Sequence, residues 1–174
     1  MKTIKRNNKL LIVAVFLSIA ITSIYTQQGW QNLYTSFGGG DIYFKNTNTG
    51  IISGYKTTNA GNNWYSINFG GYMSFPDQNT GYSTSGAQIY KTTNFGDNYV
   101  MQVNPSILAL NDISFVNVNT GYSCGETGKI VKTVNGGDNW LIVNNPLSIE
   151  YNLYNIQFIE SETGFVSGVT YFRD

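Results

Sequence analysis

Histidine is absent from this chain, cysteine occurs once, and only 11% of its 174 residues are charged. Each scarcity removes a class of chemistry. Without histidine there is no Ser–His or Cys–His couple, so triad nucleophiles are excluded within this chain. The same absence, with one cysteine and no acidic loop of calcium-binding spacing, leaves no metal set to name. A lone Cys124 excludes an intrachain disulfide. Within Gly121-Tyr122-Ser123-Cys124-Gly125 it reads as a small buried hydrophobe on a strand. Gly38-Gly39-Gly40 is not followed by Lys-Ser/Thr, so it reads as a joint and not as a phosphate loop. No catalytic, cofactor-binding or metal-binding residue is therefore nominated.

Charge is also unevenly placed. Lys2, Lys5, Arg6 and Lys9 precede an apolar run from Leu10 to about Ile24, the pattern of an export signal over residues 1–26. The alternative is an uncleaved N-terminal membrane anchor, for which the run is short and diluted by Ser18, Thr22 and Ser23. After cleavage six basic residues (Lys45, Lys56, Lys91, Lys129, Lys132 and Arg173) face ten acidic ones, a net charge of −4. With no basic stripe, nucleic acid is a poor partner, and so is the membrane once the signal is gone. The expected location is secreted, extracellular or periplasmic.

What the chain has in abundance is tyrosine, phenylalanine, glycine, asparagine and threonine, the composition of short strands and tight turns. An eight-residue motif recurs three times: Thr57-Thr58-Asn59-Ala60-Gly61-Asn62-Asn63-Trp64, Thr92-Thr93-Asn94-Phe95-Gly96-Asp97-Asn98-Tyr99 and Thr133-Val134-Asn135-Gly136-Gly137-Asp138-Asn139-Trp140. In each, an Asn (59, 94, 135) is expected to bond backbone N–H groups about two residues on and close a turn. A Gly (Gly61, Gly96, Gly137) supplies positive φ. An aromatic residue (Trp64, Tyr99, Trp140) opens the next strand and covers the hairpin.

A second motif runs in step: Ile42-x-Phe44, Met73-x-Phe75, Ile113-x-Phe115 and Ile156-x-Phe158, with Thr-Gly ending six residues after each Phe at Gly50, Gly81, Gly121 and Gly164. Third-copy strands are expected over 112–116, 121–124, 129–133 and 140–143, four antiparallel strands in about 40 residues. That predicts an all-β, β-propeller-type array of four-stranded antiparallel blades. Its units fall at 41–70, 71–108, 109–150 and a partial 151–174, after a lead-in over 27–40. Copy one is expected to have lost most of its central hairpin, because Gly61 follows Gly50 by only 11 residues.

About three and a half repeats make an incomplete array, since closed propellers have about 4–8 blades, and open blades leave unpaired edges. Three explanations stand open. The sequence is a fragment of a longer frame, or the chain self-associates through its open blade edges, or it is a small four-bladed array closed by Gly29–Tyr34 as an added strand.

The turn resembles the Asp-box, or BNR repeat, with Asn in the usual Asp position. The wider unit, Ile-x-Phe, Thr-Gly-Tyr/Phe, Ile-x-Lys-Thr and Asn-x-Gly-x-Asn-Trp, resembles the propeller domain of the photosystem II stability and assembly factor family over residues 41–174. That repeat also occurs in secreted bacterial proteins outside photosynthesis. The resemblance implies a propeller that binds partners and not an enzyme. An arginine-rich face is implicated in partner binding by photosynthetic members. Here the mature chain has only Arg173, so that role does not carry over.

The expected function is a secreted, non-enzymatic module that binds or assembles an unknown protein or glycan. Tyr55, Tyr65, Tyr90 and Tyr122 either stack on such ligands or pack between blades. The alternative is a fragment of an Asp-box glycoside hydrolase whose catalytic residues lie outside this chain. A glycosidase needs two carboxylates about 5–10 Å apart. None of Asp41, Asp77, Asp97, Asp112, Glu126, Asp138, Glu150, Glu160, Glu162 and Asp174 forms a pair that stands out from the repeat. Asp41 and Asp112 share the position before Ile-x-Phe, which suggests a role in the repeat itself.

Overall fold

Apolar and polar residues alternate along each short segment, and the segments are spaced by turn residues, so the chain builds antiparallel meanders. The computed structural model describes residues 40–144 and 151–170, all within one unit spanning Phe37–Asp174. The expectations for residues 1–26, Gly29–Tyr34, Glu150, Arg173 and Asp174 lie outside the described residues.

Three four-stranded sheets follow one another in strict sequence order. The first holds β1 (Ile42–Phe44), β2 (Gly50–Ile52), β3 (Tyr55–Thr57) and β4 (Tyr65–Ser66). The second holds β5 (Tyr72–Ser74), β6 (Gly81–Ser85), β7 (Gln88–Thr92) and β8 (Val100–Gln102). The third holds β9 (Leu110–Phe115), β10 (Gly121–Gly125), β11 (Ile130–Thr133) and β12 (Leu141–Val143), with a 3-10 turn at Glu126–Gly128. A two-stranded sheet of β13 (Tyr151–Glu160) and β14 (Thr163–Thr170) completes the series. The all-β, blade-by-blade expectation holds. Contrary to expectation, copy one keeps its central hairpin: three-residue strands β2 and β3 pair and join through Ser53 and Gly54, both at positive φ, a turn tight enough to fit the short spacing.

The pairing of Phe with Thr-Gly has a steric cause. Phe44, Phe115 and Phe158 lie directly across from Gly50, Gly121 and Gly164 in the ladder. A Cβ on Gly50, Gly81, Gly121 or Gly164 would come within 2.3–2.7 Å of the ring. Each Phe ring therefore lies flat on a bare strand. Its other face is free to meet the preceding blade, and Tyr82 stacks on Phe115 and Tyr122 on Phe158, both at 3.6 Å between centroids.

The core sits between blades. Tyr82 and Ile89 of the second blade pack on Leu110, Ile113, Phe115, Val131 and Trp140 of the third. Tyr122 and Cys124 of the third pack on Leu153 and Ile156 of the fourth. Copy one has Ile51 where the second and third have Tyr and the fourth has Phe165, and Tyr43 stacks on Phe75 instead, at 4.4 Å. Buried apolar area stabilises by about 25 cal/mol per Å², so these inter-blade layers hold the array together.

Candidate functional site

The repeated turns join strands three and four of each blade. Thr57, Thr92 and Thr133 are buried, and their Oγ1 atoms accept from the N–H groups of Gly61, Gly96 and Gly137 at 2.9–3.0 Å. Each threonine hydroxyl donates to the neighbouring Asn Oδ1. That oxygen accepts from a backbone N–H four residues on: Asn63 for Asn59, Asn98 for Asn94, and Asn139 for Asn135, at 2.8–3.0 Å. The reach is four residues and not the expected two, because the N–H two residues on, that of Gly61, Gly96 or Gly137, already donates to the threonine hydroxyl. Gly61, Gly96 and Gly137 have φ of +80 to +86° as anticipated, and the residue before each (Ala60, Phe95, Gly136) is also left-handed.

The ring at the end of the motif behaves differently in each copy. Trp140 is 4% exposed and meets Phe115 edge-on, and its indole lies close over Gly137. Trp64 is half-buried over Gly61. Tyr99 is 39% exposed and leans on Tyr90 and Phe69 instead of covering its own glycine.

Sequence reading missed what the turn does for its neighbour. The left-handed residue presents its carbonyl to the preceding blade. Lys91 Nζ donates to Gly136 O at 2.7 Å and Tyr82 Oη donates to the same oxygen at 2.9 Å. Lys56, buried, donates to Phe95 O at 3.0 Å and pairs with Asp97 at 2.5 Å. The signal was present in the regular Lys of Ile-x-Lys-Thr, but its partner is 39–45 residues away. In the fourth unit Lys132 meets Glu162 at 3.3 Å and Tyr122 Oη donates to Ser161 O.

On the same rim, Asn46, Asp77 and Asn117 cap the loops between strands one and two by accepting two backbone N–H bonds each. Those bonds hold the Asp77 carboxyl below its ordinary range, the Thr80 N–H contributing most. Backbone bonds from Ala60, Phe95 and Gly136 N–H to Asn48, Asn79 and Asn119 O then tie each turn to its loop.

The first strands meet around a groove of about 490 Å³ lined by Asp41, Ser74, Asp112, Ser114, Asn155 and Gln157, among others. Asp41 and Asp112 are joined to the repeat, as their shared position suggested. Asp41 Oδ2 accepts from Met73 N–H and Asp112 Oδ2 from Ile156 N–H, each at 2.7 Å and each reaching the next blade. Burial lifts the Asp112 carboxyl above its ordinary range, against the pull of those hydrogen bonds. Among the described residues no three His, Cys, Asp or Glu side chains are placed to hold a metal.

The four tyrosines divide. Tyr122 is no ligand platform: it is buried beneath Phe158. Tyr90 is half-buried, while Tyr55 and Tyr65 are exposed. Tyr55 and Tyr90 line a cleft of about 330 Å³ with Ser53, Gly54, Ser66, Asn68 and Ser85. It opens on the hairpin rim, beside the short β2–β3 hairpin, and no charged side chain lines it. Cys124 is fully buried, and burial pushes its thiol up to about 12, so it is inert.

Residues 71–171 match the sequence profile of the family described as photosynthesis system II assembly factor YCF48. The chain belongs to that family. A solved structure described as YCF48 bound to D1 peptide is similar to it, with a TM-score of 0.50 and 16% identity over 76% of this chain. At that identity the likeness to YCF48 concerns the fold, and this chain spans about 38% of that neighbour's length. No curated protein matches the chain.

Proposed function

We propose that this member of the YCF48 family is an exported, non-catalytic propeller module that holds an extended, uncharged stretch of a partner protein. The observation that carries the reading is the cleft beside Tyr55 and Tyr90. Two aromatic rings flank serine and asparagine side chains with no charge among the lining residues, a surface suited to stacking and to backbone amides. The YCF48 neighbour with its bound peptide favours a protein ligand. A glycan is the alternative occupant, since sugars also stack on tyrosine. Export rests on the basic and apolar pattern of residues 1–26.

The hydrolase reading draws on one observation, the pair Asp41 and Asp112 in a shared groove with burial lifting the Asp112 carboxyl above its ordinary range. Against it, both carboxylates already accept the backbone N–H that joins neighbouring blades.

The test uses the secreted chain with a photo-crosslinking residue at Asn68, on the cleft, and titration against neutral peptide and oligosaccharide panels. Cross-linking to one protein, with peptide affinity falling about tenfold or more in Tyr55→Ala, supports the proposal. Binding of sugars alone shifts the ligand class. Glycoside cleavage that Asp112→Asn abolishes overturns it.

A further inference from the structure

The three turns demand one unusual backbone conformation, and the chain meets the demand in two ways. The residue after the turn asparagine is left-handed in each copy: Ala60 at φ 58°, Phe95 at 56° and Gly136 at 67°. Copies one and two place a side chain there against its preference. Copy three uses glycine, which takes that conformation freely. The relief has a chemical consequence. Asn135-Gly136 is the one Asn-Gly pair in the sequence. A glycine nitrogen, unshielded by any Cβ, is the backbone nitrogen that most readily attacks the carboxamide carbon before it.

The folded turn holds both reactants. Gly136 is buried, and its N–H donates to Asn119 O at 2.8 Å. Asn135 is exposed, but its Oδ1 accepts from the Thr133 hydroxyl and from Asn139 N–H, both at 3.0 Å. The nitrogen attacks only after its proton leaves, so the bond to Asn119 must open first. The carboxamide must then leave its two donors to reach that nitrogen. Both bonds that hold the side chain end on Oδ1. A carboxylate accepts the same two donors, so the turn can be rebuilt without the amide.

We propose that Asn135 is a deamidation site gated by its own turn, closed while the turn is formed and reactive when it opens. Gly136 N bonds to Asn135 Cγ, the Cγ–Nδ2 bond breaks, and the proton lost from Gly136 N–H leaves with Nδ2 as ammonia. One water then opens the five-membered imide. Cleavage between Cγ and the Gly136 nitrogen leaves ordinary aspartate, with the backbone intact. Cleavage between the Asn135 carbonyl carbon and that nitrogen leaves an isoaspartyl link, with the chain running through the side chain. The aspartate product re-forms the turn. The isoaspartyl product adds a carbon to the main chain and loses the register that the Thr133 and Asn119 bonds require.

The test follows the secreted chain in mildly alkaline buffer, folded and in urea, by peptide mass spectrometry that separates Asn, Asp and isoAsp. Conversion at Asn135 is expected to be about tenfold or more slower in the folded chain, with Asn59 and Asn94 lagging far behind it in urea. Thr133→Val removes one donor to Oδ1 and should speed conversion of the folded chain about fivefold, the worth of one hydrogen bond. Leu153→Ala, which loosens the core between the third and fourth blades, should leave the rate unchanged. Ile156→Val takes its place if near-ultraviolet circular dichroism shows Leu153→Ala to be unfolded. Asn135→Asp should stay folded, with a urea midpoint close to the parent's. Equal rates in the folded and unfolded chain overturn the proposal, as does conversion of Asn59 or Asn94 at the rate of Asn135. So does a distant core variant that speeds conversion as much as Thr133→Val, or an Asn135→Asp chain that loses its fold.

Discussion

The two rims of the array are built on opposite rules. On the turn rim, the same hydrogen bonds recur in all three complete blades: Thr to Gly, Asn to the fourth residue on, and turn N–H to loop carbonyl. On the hairpin rim no two blades agree. The first closes through Ser53–Gly54, the second turns at Gly86, and the third inserts Glu126–Gly128. The linkers that follow also differ, from Gly70 pressed against Gly54 and Gly71 against Thr84 to Ser106 and Leu108 held by Asn104 and Ser106. Uniformity marks where the backbone must be tied to keep register. Variation marks where the chain is released from that duty, and the Tyr55 cleft lies there. Scaffold and recognition are thus separated by rim.

The largest effect expected on this contrast comes from Trp140→Ala on the turn rim. The ring is buried against Phe115 and over Gly137, so its loss should lower stability by about 3–5 kcal/mol. Tyr99→Ala, at the same motif position but exposed, should lower it by only about 1 kcal/mol. Urea unfolding of both variants measures the gap. Equal losses would mean that the motif aromatic acts through the turn and not through burial.

The next comparison sets one rim directly against the other. Thr133→Val keeps the shape but leaves the buried Gly137 N–H without its acceptor, and should lower stability by about 1–3 kcal/mol. A Gly-Ser insertion after Gly86, whose Cβ position faces open space, should cost about 0.5 kcal/mol or less. If the insertion is as damaging as Thr133→Val, the hairpin rim is as constrained as the turn rim, and the division fails.

Much of this was legible in the residues. The Phe-to-Thr-Gly spacing reported a ring lying on a bare strand, and the third copy announced its four strands nearly residue by residue. Local hydrogen bonding and period-two alternation are written in short stretches of chain, which is why they can be read there. What joins blades could not be read in this way. Lys91 to Gly136, or Asp112 to Ile156, pairs residues more than 40 positions apart, and no local period encodes the partner. Nor could the cleft be read, since it arises from a shortened hairpin in one blade facing a neighbour of ordinary length. Tyr122 and Tyr55 look alike in sequence, and only the presence of Phe158 over one of them decides that it is core.

The smallest effect tests whether charge matters within the uniform rim. Asn46 and Asn117 cap their loops with neutral amides, while Asp77 caps the middle copy with a carboxylate. Its two backbone bonds, led by the one from Thr80, place its folded-state affinity for protons below the ordinary value of 3.8. A depressed carboxyl stabilises the fold above that unfolded value, and the contribution is lost as pH falls through the folded one. Asp77→Asn should therefore be slightly less stable than the parent near neutrality, with the same turn. The difference should shrink as pH is lowered below 3.8, because protonation turns the parent into a neutral cap as well. Urea midpoints of the two chains, followed from neutral pH downward, give the comparison. A gap that stays constant through acid would assign the whole effect to geometry. The Asn of the outer copies and the Asp of the middle one would then be interchangeable parts of one scaffold.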